Sequence, residues 1–376
     1  MNFDFSEEQY LLRDQARKFL DDHSTLVAAR SVLEDESRAY DEGLWRGMAE
    51  LGWVGATIPE EYGGAGLSGE DLCVIAEELG RALAPTPFSS SVYMATEALV
   101  MAGSDAQKRE YLPALAAGER IGCMAVSEGV GVANAASIKM RASNGMVEGK
   151  KVPVADGDVA DFAIVLAGPG SGSDLSLFLV DLKDDGVSRK SVEMIDPTRS
   201  HAEITFDKTT AEPLGDAGQG WSITQAIFDR AAILMAFEQV GGAQACLDMA
   251  TDYAKNRFAF GRAIGSFQAI KHKLADIYIA TELARANAYY GAWALATDAP
   301  DLPTAAAAAR VAASEAYNLA ARENIQTHGG MGFTWEFDCH LYYRRAKLLS
   351  LALGGERVWK DRLISQLEAR NSTGEE

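Results

Sequence analysis

The sequence predicts a mostly α protein with an antiparallel β domain in its middle, in the order helical domain, β domain, four-helix bundle. Three observations predict it. Apolar residues recur at helical spacing from Ser6 to about Gly118. Short β-branched or alternating runs, set between turn signals, then follow as far as Glu212. Helical periodicity returns from Gly220 to about Glu368. These changes of texture place domains at 1–119, 120–219 and 220–376.

In the first zone the periodic residues include Tyr10, Leu11, Leu12 and Phe19, then Leu44, Trp45, Met48 and Leu51. Ser6, with Glu8 and Gln9 behind it, supplies a helix start, because a hydroxyl there can accept a free N–H of the first turn. The linker IPEEYGGAGLSGEDL is loop-like until Ser68, which precedes a helical run from Glu70 to Leu79. In the second zone the runs ITF, AIVLA and LSLFLVDL lie between the turn signals SNG, DGD, GPGSGS and KDDG. In the third, Pro303 sits at a helix start and Gly329 just past a helix end, as their backbone preferences require. The alanine-rich run AAAAARVAASEAYNLAA allows helices to pack closely.

Composition narrows the function classes. The 376 residues carry a net charge of −19, with 48% hydrophobic and 24% charged residues, the profile of a soluble globular protein. The acidic balance opposes nucleic-acid binding, which needs clustered Lys and Arg. A local cluster of arginines would still suffice for a nucleotide. No apolar run is long enough for a membrane span, and MNFDFSEEQY lacks the pattern of a signal peptide, so a cytoplasmic location is expected. Cys73, Cys123, Cys246 and Cys339 form no CxxC pair, so neither a zinc site nor a disulfide framework is expected.

Four stretches could carry chemistry. In NRFAFG, Asn256 to Gly261, an arginine lies between two helices, where a guanidinium can meet a phosphate. Arg262, Gln268, Lys271 and His272 follow it; alone, the stretch reads as a solvated surface. In QTHGGMGFTWE, Gln326, Gly329, Gly330 and Gly332 expose backbone to close approach, although a helix end with a loop accounts for the glycines equally. AVSE, Ala125 to Glu128, opens the β zone. The helix WSITQAIFDRAAILMAFEQVGG holds Asp229, Arg230 and Glu238 in apolar surroundings; an inward Glu238 would be suited to proton transfer.

Taken together and in this order, the chain resembles the acyl-CoA dehydrogenase family over nearly its whole length. RFAFGRAIGSFQAIKHKLAD and QTHGGMGFTWE look like the family's C-terminal signatures. The resemblance implies FAD shared across a subunit interface, contacted by Arg257, Phe260, Gln268, Gln326, Gly329 and Gly330. It also implies an acyl-CoA substrate, an electron-transfer flavoprotein as electron acceptor, and a homo- or hetero-tetramer. Ser127 matches a hydroxyl that donates to a flavin edge.

Departures from the family pattern are concentrated in the β zone and near the C-terminus. The Gly-Ser-Asp part of the segment after Ser127 is replaced by Val132, Ala133 and Asn134. Pro153 and Ala155 stand where a Trp-x-Thr pair normally contacts the flavin. Leu353 occupies the position of the usual catalytic glutamate, and a leucine takes no proton. The alternative family position, on the first helix of the C-terminal domain, is Ala231. Glu238, two turns further on and within about 20° of that face, is the candidate base, with Asp229 the runner-up. These departures match heteromeric members, including those acting on sterol side-chain thioesters, in which one site of each pair has decayed. A non-catalytic partner subunit and a flavin oxidase or monooxygenase are the alternatives.

Overall fold

The computed structural model describes residues 5–23, 25–35, 37–169 and 174–373; part of the GPGSGS turn lies outside them. In chain order the helices are α1 (Glu7–Asp22), α2 (Thr25–Glu34), α3 (Glu42–Glu50), α4 (Gly69–Ala82), α5 (Glu97–Ala102) and α6 (Asp105–Ala116). After the strands come α7 (Gly220–Asn256), α8 (Gln268–Ala296), α9 (Leu302–His328), α10 (Cys339–Leu351) and α11 (Glu356–Thr373). The strands are β1 (Gly122–Ala125), β2 (Arg141–Ser143), β3 (Met146–Ala155), β4 (Phe162–Ala167) and β5 (Ser176–Asp181). They continue with β6 (Val187–Ser191), β7 (His201–Thr210), β8 (Glu212–Leu214), β9 (Phe258–Ala259) and β10 (Arg262–Ala263).

The chain forms two compact units, each discontinuous in sequence. The first gathers residues 1–29, 69–84 and 232–376; the second gathers 30–68 and 85–231. In the first unit, α1 begins as its sequence demands: Ser6 Oγ accepts the Gln9 amide, and the Gln9 side chain accepts the Ser6 amide in return. The α4 backbone is drawn against α7 at Gly80. A Cβ built there would lie 1.9 Å from the Glu238 carbonyl oxygen, so only glycine permits this approach. The fourth C-terminal helical segment is split in two, because Leu353 and Gly354 take φ of +59° and +106° between α10 and α11.

The second unit holds two four-stranded sheets, ordered β1-β4-β5-β8 and β2-β3-β7-β6. Pairing is antiparallel, as expected, except that β1 runs parallel to β4 with Gly122 opposite Phe162. β4 (FAIVLA) is buried throughout, which accounts for its unbroken apolar sequence. The SNG signal makes the β2–β3 hairpin: Asn144 and Gly145 have φ of +52° and +72°, the two left-handed residues of a tight two-residue turn.

Candidate functional site

The sequence-predicted residues fall into two groups, one in each unit. In the first unit α7 ends at Asn256, and the Arg257 amide still bonds the Tyr253 carbonyl at 2.8 Å. The chain then folds back as the β9–β10 hairpin, turning at Phe260 and Gly261 with φ of +52° and +79°. The Ile264 amide closes the hairpin on the Arg257 carbonyl at 2.8 Å. This turn presents Phe260 outward, 95% exposed, and Arg257 beside it is exposed too. Arg262 lies 4.0 Å over the Phe267 ring, immediately before α8 starts at Gln268 without a side-chain cap.

The second signature lies at the C-terminal end of α9. Gln326 is exposed, whereas Thr327 and His328 are buried. The glycines that follow have separate reasons. Gly329 ends the helix at φ +62°, a conformation that costs an L side chain energy. At Gly332 an added Cβ would lie 2.7 Å from the Ile325 carbonyl oxygen. Gly330 has neither constraint: nothing lies within 4 Å of a built Cβ. Its missing side chain leaves room for something outside the chain.

Aromatic packing brings these two signatures to one end of the bundle. The Tyr253 ring, one turn before Arg257, stacks on His328 with centroids 4.1 Å apart. Phe337 meets both rings edge-on, at 6.3 Å and 5.7 Å. Burial pushes the His328 imidazole below its ordinary pKa, while Nδ1 lies 2.9 Å from the Asn324 carbonyl. Arg257, Gln268 and Gln326 have no side-chain partner among the described residues, so a cation and two amides are available to an external ligand. That donor set suits the phosphates and polar edges of a dinucleotide, and Phe260 adds an apolar face. The residues present therefore fit FAD.

In the second unit, Ser127 leaves β1 half-buried, and its carbonyl accepts the Val152 amide of β3 at 2.8 Å. Glu128 pairs with Lys151 at 2.8 Å. Pro153 is exposed and Ala155 half-buried on the same strand. Asp229 is 3% exposed, and its neighbour Arg230 pairs with Glu97 at 3.5 Å. Ala231, at the alternative base position, is fully buried.

Glu238 belongs to the first unit, where it is completely buried. Its nearest consequence is electrostatic. Burial pushes the Arg310 guanidinium of α9 down to about 10, and Glu238 acts in the opposite sense, holding the cation charged. Arg310 itself is 1% exposed; it donates to Gln239 Oε1 and to the Leu349 carbonyl, and at 2.9 Å to the Ala352 carbonyl. It thereby satisfies carbonyls left free at the end of α10, beside Leu353. Sequence reasoning missed Arg310, which reads as a surface residue in its alanine run, and also Lys151. The readable signal for Lys151 was its buried neighbour set on β3, Val147 and Val154.

Residues 6–119 match the family described as acyl-CoA dehydrogenase, N-terminal domain, and residues 218–367 match acyl-CoA dehydrogenase, C-terminal domain. The chain belongs to the acyl-CoA dehydrogenase family. It is 38% identical over 363 residues to the acyl-CoA dehydrogenase IpdE2 of Mycobacterium tuberculosis, covering 96% of this chain and 98% of that relative. Among solved structures, a variant of the Tcur3481-Tcur3483 steroid ACAD is 32% identical, with a TM-score of 0.87 over 98% of this chain and 99% of the other. The ChsE4-ChsE5 complex from Mycobacterium tuberculosis is 26% identical, with a TM-score of 0.88 and the same coverage of 98% and 99%. Membership of the acyl-CoA dehydrogenase family makes the chain an oxidoreductase by descent, and no described helix is long and apolar enough to cross a membrane.

Proposed function

We propose that this chain is one subunit of a flavin-dependent acyl-CoA dehydrogenase and supplies one side of an FAD site that it shares with a related chain. The observation that carries this reading is the pairing of an open bundle end, bearing Arg257, Gln268 and Gln326 without side-chain partners among the described residues, with a leucine at the usual base position. Arg257 would bind the pyrophosphate by charge-assisted hydrogen bonds, and Gln268 and Gln326 would hold polar edges of the cofactor. The backbone at Gly329 and Gly330 would come into direct contact, which only residues without side chains allow. Phe260 would cover an apolar face. Ser127 would donate to a flavin on this chain's own side.

FAD, when bound, supplies the acceptor for the hydride that leaves the β-carbon of an acyl-CoA thioester. The α-proton must go to a carboxylate. Leu353 cannot accept it, and Glu238 is sealed in the interior beside Arg310. Asp229 is also withdrawn from solvent. A related chain therefore provides the base, in a tetramer of two kinds of subunit. The 32%-identical relative is named as a steroid ACAD and for two chains, Tcur3481 and Tcur3483. That likeness supports a heteromer acting on a bulky thioester. An electron-transfer flavoprotein is the proposed electron acceptor. The cysteines are buried thiols, in keeping with a reducing cytoplasm.

The test is an anaerobic absorption spectrum of the purified chain, alone and mixed with candidate partner chains. The expected result is a flavin band bleached by acyl-CoA only when the partner is present. A homotetramer bleached fully by itself would reject the heteromer. Rapid return of colour in air would identify an oxidase instead.

A further inference from the structure

Lys151 of β3 has none of its surface exposed, although it carries an ammonium group. Its Nζ donates to the Val126 carbonyl at 3.0 Å and to Glu128 Oε1 at 2.8 Å. The Glu128 carboxylate accepts, in turn, the amides of Lys139 at 2.8 Å and Met140 at 3.0 Å. These bonds join the residues where the chain leaves β1 to those where it returns toward β2. The Glu128 carboxylate thus ties both ends of the 129–138 loop, and the buried Lys151 cation holds that carboxylate in place. The loop itself is open, with Val130 111% and Val132 53% exposed.

Stability alone does not explain this arrangement. Burial pushes the Lys151 ammonium down to about 8, with Glu128 only partly offsetting the effect. Keeping the group charged at neutral pH therefore opposes folding, since the unfolded chain holds the proton more tightly. An apolar side chain of similar length would fill the space without that desolvation cost, but it would leave the Glu128 carboxylate without its cation. What the lysine adds is a fixed place for the Glu128 carboxylate, which receives the amides at the far end of the loop.

We propose that Lys151 is a positioning residue that holds the 129–138 loop in the conformation that receives FAD. The proposal rests on the reading that the segment beginning at Ser127 faces the cofactor. Acting through Glu128, Lys151 sets where the loop leaves and rejoins the sheet.

Amide hydrogen exchange on the full chain, with a related partner chain and FAD added, tests this, comparing wild type, Lys151→Met and Glu128→Gln. Both variants should exchange the 129–140 amides about tenfold faster or more, while β4 and β5 keep wild-type protection. Both should also release FAD more readily on gel filtration. Unchanged exchange in the loop would overturn the proposal, and so would a faster loop with wild-type FAD retention. If Lys151→Met fails to fold, Glu128→Gln decides on the same criteria. Wild-type protein that takes up no FAD even with a related partner chain present would instead defeat the preceding functional reading, a result that needs no variant.

Discussion

Glu238→Gln should destabilise the chain, because it removes a fully buried carboxylate that favours the charged form of the buried Arg310 guanidinium. Glutamine fills the same volume, so no cavity contributes. Glu238 is 0% and Arg310 1% exposed, so water cannot replace the lost field. The Arg310 guanidinium keeps its acceptors on Gln239, Leu349 and Ala352, but it would lose the electrostatic support of the Glu238 carboxylate. Urea unfolding should show a lower midpoint, and the double variant with Arg310→Met should recover part of the loss. Coupling of that kind is what a double-mutant cycle reads. A wild-type midpoint accompanied by roughly hundredfold slower flavin reduction would contradict this and make Glu238 the base.

Arg257→Ala should weaken FAD retention by about 1.5–3 kcal/mol, the range for a lost charge-assisted hydrogen bond. The side chain is exposed at the end of α7, so its truncation should leave the fold and its urea midpoint unchanged. Gly330→Ala provides a second measurement of the same surface. Gly330 is outside the left-handed region, and its added Cβ would meet nothing in this chain. A loss of flavin in that variant therefore reports the approach of a ligand or partner rather than a folding defect. Flavin content equal to wild type in both variants would show that this end of the bundle does not hold the cofactor.

How much of this was legible in the sequence depended on how local each signal is. The Ser6–Gln9 cap, the Asn144–Gly145 hairpin and the Gly329 helix end each depend on residues within a few positions of one another, and each formed as read. The exposure of Arg257 and Gln326 was equally readable, because a cation and an amide are poor choices for a core, whereas the exposure of Phe258 and Phe260 was not. The apolar run AILMAFEQV left open whether Glu238 turns outward or inward, and it is fully buried. Its neighbour Arg310 lies far along the chain on α9, and no local pattern shows which helices will meet. The same limit hid the composition of the two units. Residues 69–84 join the C-terminal helices through the backbone approach at Gly80, a long-range contact that resembles an ordinary helical glycine in sequence. The parallel β1–β4 pair was likewise invisible, since strand direction is set by connections rather than by side chains.

If the flavin site is shared, this chain should hold FAD only together with another chain. Sedimentation velocity followed at the flavin's visible absorption tests it most directly, with the chain alone, with a related partner, and after dilution. Flavin colour should sediment only with the oligomer and be lost as the subunits separate. A stable monomer that carries FAD would contradict it.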